Sequence, residues 1–249
     1  MYWRFDMTQI FAHRGASGYA PENTLEAFNM AAQMGAEGVE LDVHLTLDGE
    51  IVVAHDESID RVSDGSGRIA KMTLEDLRKY HFNRAFPEFL HATIPTLKEV
   101  FELLKNTRMT INIELKNSIV YYEQLEEKCL SLVREMGMEK RVLFSSFNHY
   151  SIARMVQLAP DIPCGLLYDA TLYRPWEYAS RLKVAAIHPH FSELQVEGEV
   201  EEAHRNNLMV NVWTVNSMTD IRKCLKLKPD IMITNYPDRA LEIRHSLHI

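Results

Sequence analysis

Eight short apolar, β-rich runs recur along the chain, with amphipathic helical segments between most of them. That alternation restricts the fold more than any other feature. The runs are Ile10–His13, Gly38–Asp42, Thr110–Leu115, Val142–Ser145, Cys164–Leu167, Val184–Ile187, Val210–Thr214 and Ile231–Ile233. Strands separated by helices pair in parallel, because the chain needs a crossover to re-enter the sheet in the same direction. Eight such units in 249 residues, with no linker-like stretch, predict a closed (β/α)8 TIM barrel over residues 1–249 rather than an open doubly wound sheet. Helical patterns cover Thr24–Met34, Thr96–Leu104, Val120–Met136, Tyr150–Leu158, Arg174–Arg181, Gly198–Asn206, Met218–Leu225 and Pro237–Ser246. Asn23, with Glu26 three residues on, reads as the N-cap and box partner of the first.

One stretch breaks the rhythm. The segment between the second and third runs is far longer than a crossover needs. It begins with Val43-His-Leu-Thr-Leu-Asp48-Gly49-Glu-Ile-Val-Val-Ala-His55-Asp56, where Asp-Gly flanked by β-formers signals a hairpin. With Asp48-Gly49 as a two-residue loop, Asp42 lies opposite His55, and cross-strand Cβ atoms are ~4.5–5.5 Å apart. A polar loop (63–67), a short helix (Thr73–Tyr80) and an aromatic segment with Tyr80, Phe82, Phe86 and Phe89 follow. Residues 57–95 therefore read as a small cap inserted after the second strand, with the aromatics placed to choose among substrates.

Composition narrows the function. Lys and Arg total 27 against 35 Asp and Glu, a net charge of −8, and no basic run exists, so a nucleic-acid partner is not expected. No apolar stretch approaches the ~18 residues of a membrane span, so stable membrane insertion is not expected either. Met1–Met7 lacks the basic head and apolar core of a signal peptide. Cys129, Cys164 and Cys224 are odd in number and show no CxxC spacing, which points to reduced thiols in a cytoplasmic protein. The sequence gives no oligomeric state.

Ionisable groups crowd three predicted strand ends: His13-Arg14, Glu40-Leu-Asp42 and Glu114-Leu-Lys116. Catalytic groups of such barrels sit at the C-terminal ends of the strands. Glu40 and Asp42 are two residues apart and share a strand face, as do Glu114 and Lys116. Three converging carboxylates repel one another unless a cation lies between them. All-oxygen ligands suit one hard divalent cation, Mg²⁺ or Ca²⁺. With Arg14, Lys116 and that ion, the site holds one positive charge in excess, suited to a phosphodiester monoanion. A salt-bridged rim, with Glu40 and Glu114 pairing Arg14 and Lys116, fits the spacing equally well.

His13 and His55 form a second constellation. An imidazole moves protons near neutral pH, and two on opposite sides of a phosphorus serve as base and acid. The chain has 11 histidines, so a strand-end histidine alone is weak evidence. His44 shares the Asp42 face but lies beyond the pocket, and His188-Pro-His190 follows the sixth run at the mouth. Gly15-Ala-Ser-Gly18 lacks nucleotide-loop spacing and suits either a substrate-approaching loop or a tight turn. Trp213 suits a pocket wall or barrel packing; Phe147 is a weaker candidate of the same kind.

The segment His13-Arg-Gly-Ala-Ser-Gly-Tyr-Ala-Pro-Glu-Asn-Thr24, with Gly35–Gly49 and Val52-Val-Ala-His55-Asp56, resembles the glycerophosphodiester phosphodiesterase family. Asp64-Gly, Ile94–Val100, Ile113-Glu-Leu-Lys116, Ser145-Ser-Phe147, Trp213-Thr-Val-Asn216 and Thr234-Asn-Tyr-Pro-Asp238 extend the resemblance in order over residues 11–238. The resemblance implies the barrel with its insertion, and hydrolysis of small-molecule glycerophosphodiesters to sn-glycerol 3-phosphate and an alcohol. It matches Glu40, Asp42 and Glu114 to metal ligands, His13 and His55 to an acid–base pair, and Arg14 and Lys116 to phosphate-binding cations. Trp213 and Phe147 match residues lining the glycerol side. Asn235 stands where many members have Asp, and is expected to lie away from the ligands. The expected mechanism has His13 as base, His55 as acid and a cyclic phosphate intermediate. A lysophospholipase D acting on single-chain lipids is the alternative on the same fold. It needs an apolar groove or basic surface helix that the sequence does not show.

Overall fold

Eight parallel strands close into a barrel in this computed structural model, which describes residues 5–194 and 196–247. In chain order the strands are β1 (Gln9–His13), β2 (Gly38–Leu45), β3 (Ile51–Val53), β4 (Thr110–Leu115), β5 (Val142–Ser146), β6 (Cys164–Tyr168), β7 (Ala186–Pro189), β8 (Met209–Val212) and β9 (Ile231–Thr234). β1 pairs with both β2 and β9, which shuts the ring, and β3 is the antiparallel partner of β2 outside it. The helices are α1 (Leu25–Gln33), α2 (Leu74–Leu77), α3 (Leu97–Leu104), α4 (Leu125–Glu135), α5 (His149–Leu158), α6 (Pro175–Leu182), α7 (Glu199–Arg205), α8 (Met218–Leu227) and α9 (Pro237–Leu247). All eight predicted barrel strands are present.

Each strand buries both faces, as a parallel barrel requires. One face of β2 and β4 (Val39, Leu41, Val43; Ile111, Ile113) packs outward with Phe28 of α1 and Phe101 of α3. The inward face holds a smaller cluster of Phe11, Leu143, Ile231 and Ile233. A Cβ at Gly38 would stand 2.5 Å from the Phe11 ring, so glycine there makes room for the phenylalanine to fill the barrel. The insertion has its own core of Val52, Ala54, Ile59, Ile69, Leu77, Phe82 and Ile94. Phe82 is part of that core, and Phe86 and Phe89 pack edge-on against each other at 6.3 Å.

Several local expectations are corrected. The hairpin pairs Val43 with Val53 and Leu45 with Ile51, one residue off the predicted register. Thr46 N–H donates to Glu50 O, and Gly49, at φ +82, closes a three-residue loop that adds a position to the turn. Asp42 therefore faces Ala54, whose N–H donates to its carbonyl at 3.0 Å, and not His55. Thr24, not Asn23, caps α1: its hydroxyl accepts from Ala27 N–H, while Asn23 takes a left-handed φ of 57, outside the extended region typical of a side-chain N-cap. α4 begins at Leu125 rather than Val120, because Asn117 Oδ1 captures the Tyr122 N–H at 2.6 Å and holds that segment in a loop. β7 runs two residues further than predicted, so His188 lies inside the strand, fully buried, rather than at the mouth.

At the opposite end from the charged strand ends, Arg244 of α9 clamps the barrel. It donates to Thr8 O at 2.6 Å and to both Glu37 oxygens at 2.8 and 2.7 Å, and Glu37 Oε2 also accepts from Ile10 N–H. Removing the arginine strands a buried carbonyl and a half-buried carboxylate. Arg244→Ala is expected to cost about 2–3 kcal/mol, read as a lower urea midpoint with an unchanged slope.

Candidate active site

Adjacent strands bring the charged ends together. β1 places His13 beside Glu40 of β2, and β2 places Asp42 beside Glu114 of β4. Carboxylate oxygens of Glu40, Asp42 and Glu114 all lie within 4.8 Å of one another, and all three residues are buried. Arg14 Nε stands 3.5 Å from Asp42 Oδ2, and Lys116 Nζ is 2.9 Å from Glu114 Oε1 and 3.7 Å from Asp42 Oδ1. The main-chain N–H of Arg14 also donates to Glu40 Oε2 at 3.1 Å.

The electrostatics of the cluster are strained. Burial, then the Asp42 and Glu114 charges, push Glu40 well above the usual carboxylate range. Burial and Asp42 push Glu114 up to about 7, against the pull of Lys116. Burial would raise Asp42 too, but Arg14, Lys116, His55 and a hydrogen bond from Asn23 hold it below its usual range. Asp42 Oδ1 is buried with no hydrogen-bond donor. Two side-chain cations do not satisfy three clustered carboxylates, and an unmet anionic oxygen faces the cluster. The donor set fits one hard divalent cation. A second Asp–His–Glu group, Asp169, His190 and Glu193, is half-exposed and hydrogen-bonded to Thr171 and Ser192.

Both predicted histidines flank the carboxylates. His13 Nδ1 lies 2.7 Å from Asn235 Oδ1, and its Nε2 lies 3.9 Å from Glu40 Oε2. An amide oxygen only accepts, so Nδ1 carries the proton and Nε2 is free to take one. Burial, with Arg14 beside it, lowers His13 to about 4. His55 Nδ1 pairs with Asp56 Oδ1 at 2.6 Å. His44, outside the cluster, supports His55 from behind: its Nε2–H donates to the His55 carbonyl at 3.2 Å, and Tyr122 hydroxyl meets its Nδ1 at 3.0 Å. Trp213 and Phe147 meet edge-on at 5.5 Å, and His190 packs on the same indole at 5.0 Å. The indole N–H donates to His188 O, which fixes this aromatic wall at the mouth.

The sequence pattern of the glycerophosphoryl diester phosphodiesterase family matches residues 13–239. The chain belongs to that family. Membership makes it a phosphoric diester hydrolase. A glycerophosphodiester phosphodiesterase of Caldanaerobacter subterraneus subsp. tengcongensis is 40 % identical over 95 % of this chain and 97 % of its own. Another, from Bacillus altitudinis, is 40 % identical over 97 % of this chain and all of its own. The structure of an Oleispira antarctica phosphodiesterase, in complex with the product sn-glycerol-3-phosphate, is 32 % identical and superposes with a TM-score of 0.86. That similarity covers 96 % of this chain and 97 % of that one.

Four residues of this phosphodiesterase escaped the sequence reading as site residues. Asn23 donates to Asp42 Oδ2 at 2.9 Å. Asn235, expected away from the ligands, holds His13. Asp56 holds His55, and the adjacency of the two letters was the available signal. Glu22 accepts from Arg14 at 2.9 Å. The glycerophosphodiester-family segment 13–24 contained both Glu22 and Asn23, but a loop offers no periodicity to say which side chains turn inward.

Proposed function

We propose that this chain hydrolyses glycerophosphodiesters to sn-glycerol 3-phosphate and an alcohol, with one divalent cation, Mg²⁺ or Ca²⁺, held by Glu40, Asp42 and Glu114. The observation that carries the reading is a buried three-carboxylate cluster flanked by two histidines, each with Nδ1 engaged. The product complex of the Oleispira relative supports the same substrate. When bound, the cation supplies neutralisation of phosphoryl charge. Arg14 and Lys116 bind the phosphate oxygens, and Trp213 with Phe147 offers an apolar face to the glycerol carbons.

His13 Nε2 takes the proton from the glycerol 2-hydroxyl as its oxygen attacks phosphorus. The bond from phosphorus to the alcohol oxygen breaks, and His55 gives that oxygen a proton. A five-membered cyclic phosphate results. Water then attacks, giving its proton to His55, while His13 returns its proton to the 2-oxygen as the ring opens. Atoms and protons balance over the two steps. We read residues 1–249 as one catalytic unit with the insertion at about 57–95. We place it in a reducing cytoplasm because all three cysteines are buried, unbonded thiols. Among the described residues, no helix is long and apolar enough to cross a membrane.

The test is release of glycerol 3-phosphate from glycerophosphocholine and glycerophosphoethanolamine, with chelator and then with Mg²⁺ or Ca²⁺ restored. Release from both diesters, restored by one of the ions, is expected. Release from lysolipids alone would move the activity to the lysophospholipase D reading.

A further inference from the structure

The two histidines differ in what stands behind them. His13 meets a neutral amide, Asn235, whereas His55 meets the carboxylate of Asp56. Arg61, in the insertion, reaches the other Asp56 oxygen with Nε at 2.6 Å. The remaining fork of its guanidinium grips Glu22, Nη1 on Oε2 at 2.8 Å and Nη2 on Oε1 at 2.7 Å. Glu22 Oε1 also accepts from Arg14. An unbroken chain of charged hydrogen bonds thus runs His55–Asp56–Arg61–Glu22–Arg14. A groove of about 480 Å³ opens beside Asp56, bounded by Glu57, Asp60, Arg68, Ile119 and Val120.

We infer that Arg61 is a positioning residue for the protonation of the leaving alcohol, acting through Asp56 on the His55 ring. The inference rests on His55 being the acid of the proposed mechanism. Asp56 and Glu22 are partly solvent-exposed, and Arg61 is the cation that bonds to both. Only a planar cation with donors on several edges satisfies both at once, which lysine cannot do. With Arg61 gone, the Asp56 carboxylate turns toward water and the His55 ring loses its fixed orientation.

The experiment compares wild type, Arg61→Gln and Arg61→Lys on glycerophosphoethanolamine and on the p-nitrophenyl diester of glycerol phosphate. Nitrophenolate departs without a proton, whereas an alkoxide needs one. Both variants are expected to lose roughly 10–100-fold in the single-turnover rate of ethanolamine release and to keep a near wild-type single-turnover rate of nitrophenolate release, a readout that precedes the ring opening in which His55 accepts a proton. Any KM change is shared, because Arg14 binds the phosphate common to both. The Arg61 side chain is about half exposed (49 %), so the variants are expected to fold, checked by the urea midpoint. Equal loss on both substrates, or no loss on either, overturns the assignment. Wild type inactive on both overturns the proposed function itself, and the Arg61 role with it.

Discussion

Glu40→Gln is expected to lower kcat by more than roughly 10³-fold and to abolish the Mg²⁺ or Ca²⁺ binding expected of wild type in isothermal titration calorimetry. The amide keeps the shape of the side chain and removes one of the three charges. Two carboxylates remain beside Arg14 and Lys116, which now suffice to neutralise them, so the electrostatic demand for a divalent ion disappears. The same reasoning gives the stability effect its sign. In chelator, wild type keeps three carboxylates within 4.8 Å in a buried site, with burial and its neighbours driving Glu40 toward the protonated form. The variant lacks that repulsion. Its urea midpoint in chelator is expected to be no lower than that of chelated wild type, while wild type alone gains stability when the ion is restored. A structural rim predicts the reverse: Glu40→Gln unfolds more easily, and chelator leaves turnover untouched. Full activity of Glu40→Gln in chelator would end the metal-site reading.

The barrel was legible because its signal is redundant. Eight apolar runs each report a strand, and a two-residue error at the end of β7 leaves the topology unchanged. The two misplaced features nearest the site each depend on one residue's backbone state. Gly49 in the left-handed region turns a two-residue loop into a three-residue one and moves the partner of Asp42 from His55 to Ala54. Asn23 in the same region turns away from the helix it was expected to cap and donates to Asp42 instead. The carboxylates and His13 were legible because strand periodicity and the C-terminal rule for barrels fix their side and their end, whereas His55 was placed by a hairpin register that is one residue off and by the family resemblance. Their partners were not legible. Asn235 lies 222 residues from His13 in sequence, and Glu22 lies 39 from Arg61. No local pattern encodes contacts that only barrel closure and the folded insertion create.

His13→Ala is expected to lower kcat by roughly 10²–10⁴-fold while leaving divalent-ion binding intact. The side chain is mostly shielded from solvent, its Nδ1 proton is committed to Asn235 at 2.7 Å, and desolvation with Arg14 beside it lowers the ring to about 4. A neutral ring with a free Nε2 is in the form that takes a proton in the first step and returns it in the second. Loss of the base slows attack on phosphorus whatever the leaving group, so His13→Ala is expected to lose comparable activity on the ethanolamine and nitrophenyl diesters. His55→Ala is expected to lose that much in the single-turnover release of ethanolamine only, because nitrophenolate leaves without a proton and before the ring opening in which His55 takes one from water. The two substrates therefore separate base from acid by a ratio within one protein, independent of how much of each variant is active. The double variant is expected to lose less than the product of the two single losses, because a transition state deprived of one proton transfer gains little from the other. If His13→Ala instead spared the nitrophenyl diester and His55→Ala did not, the roles would be exchanged. Asn235 would then stand behind the acid and Asp56 behind the base, so that the resting acid would be a ring whose Nδ1–H meets a neutral amide rather than a carboxylate.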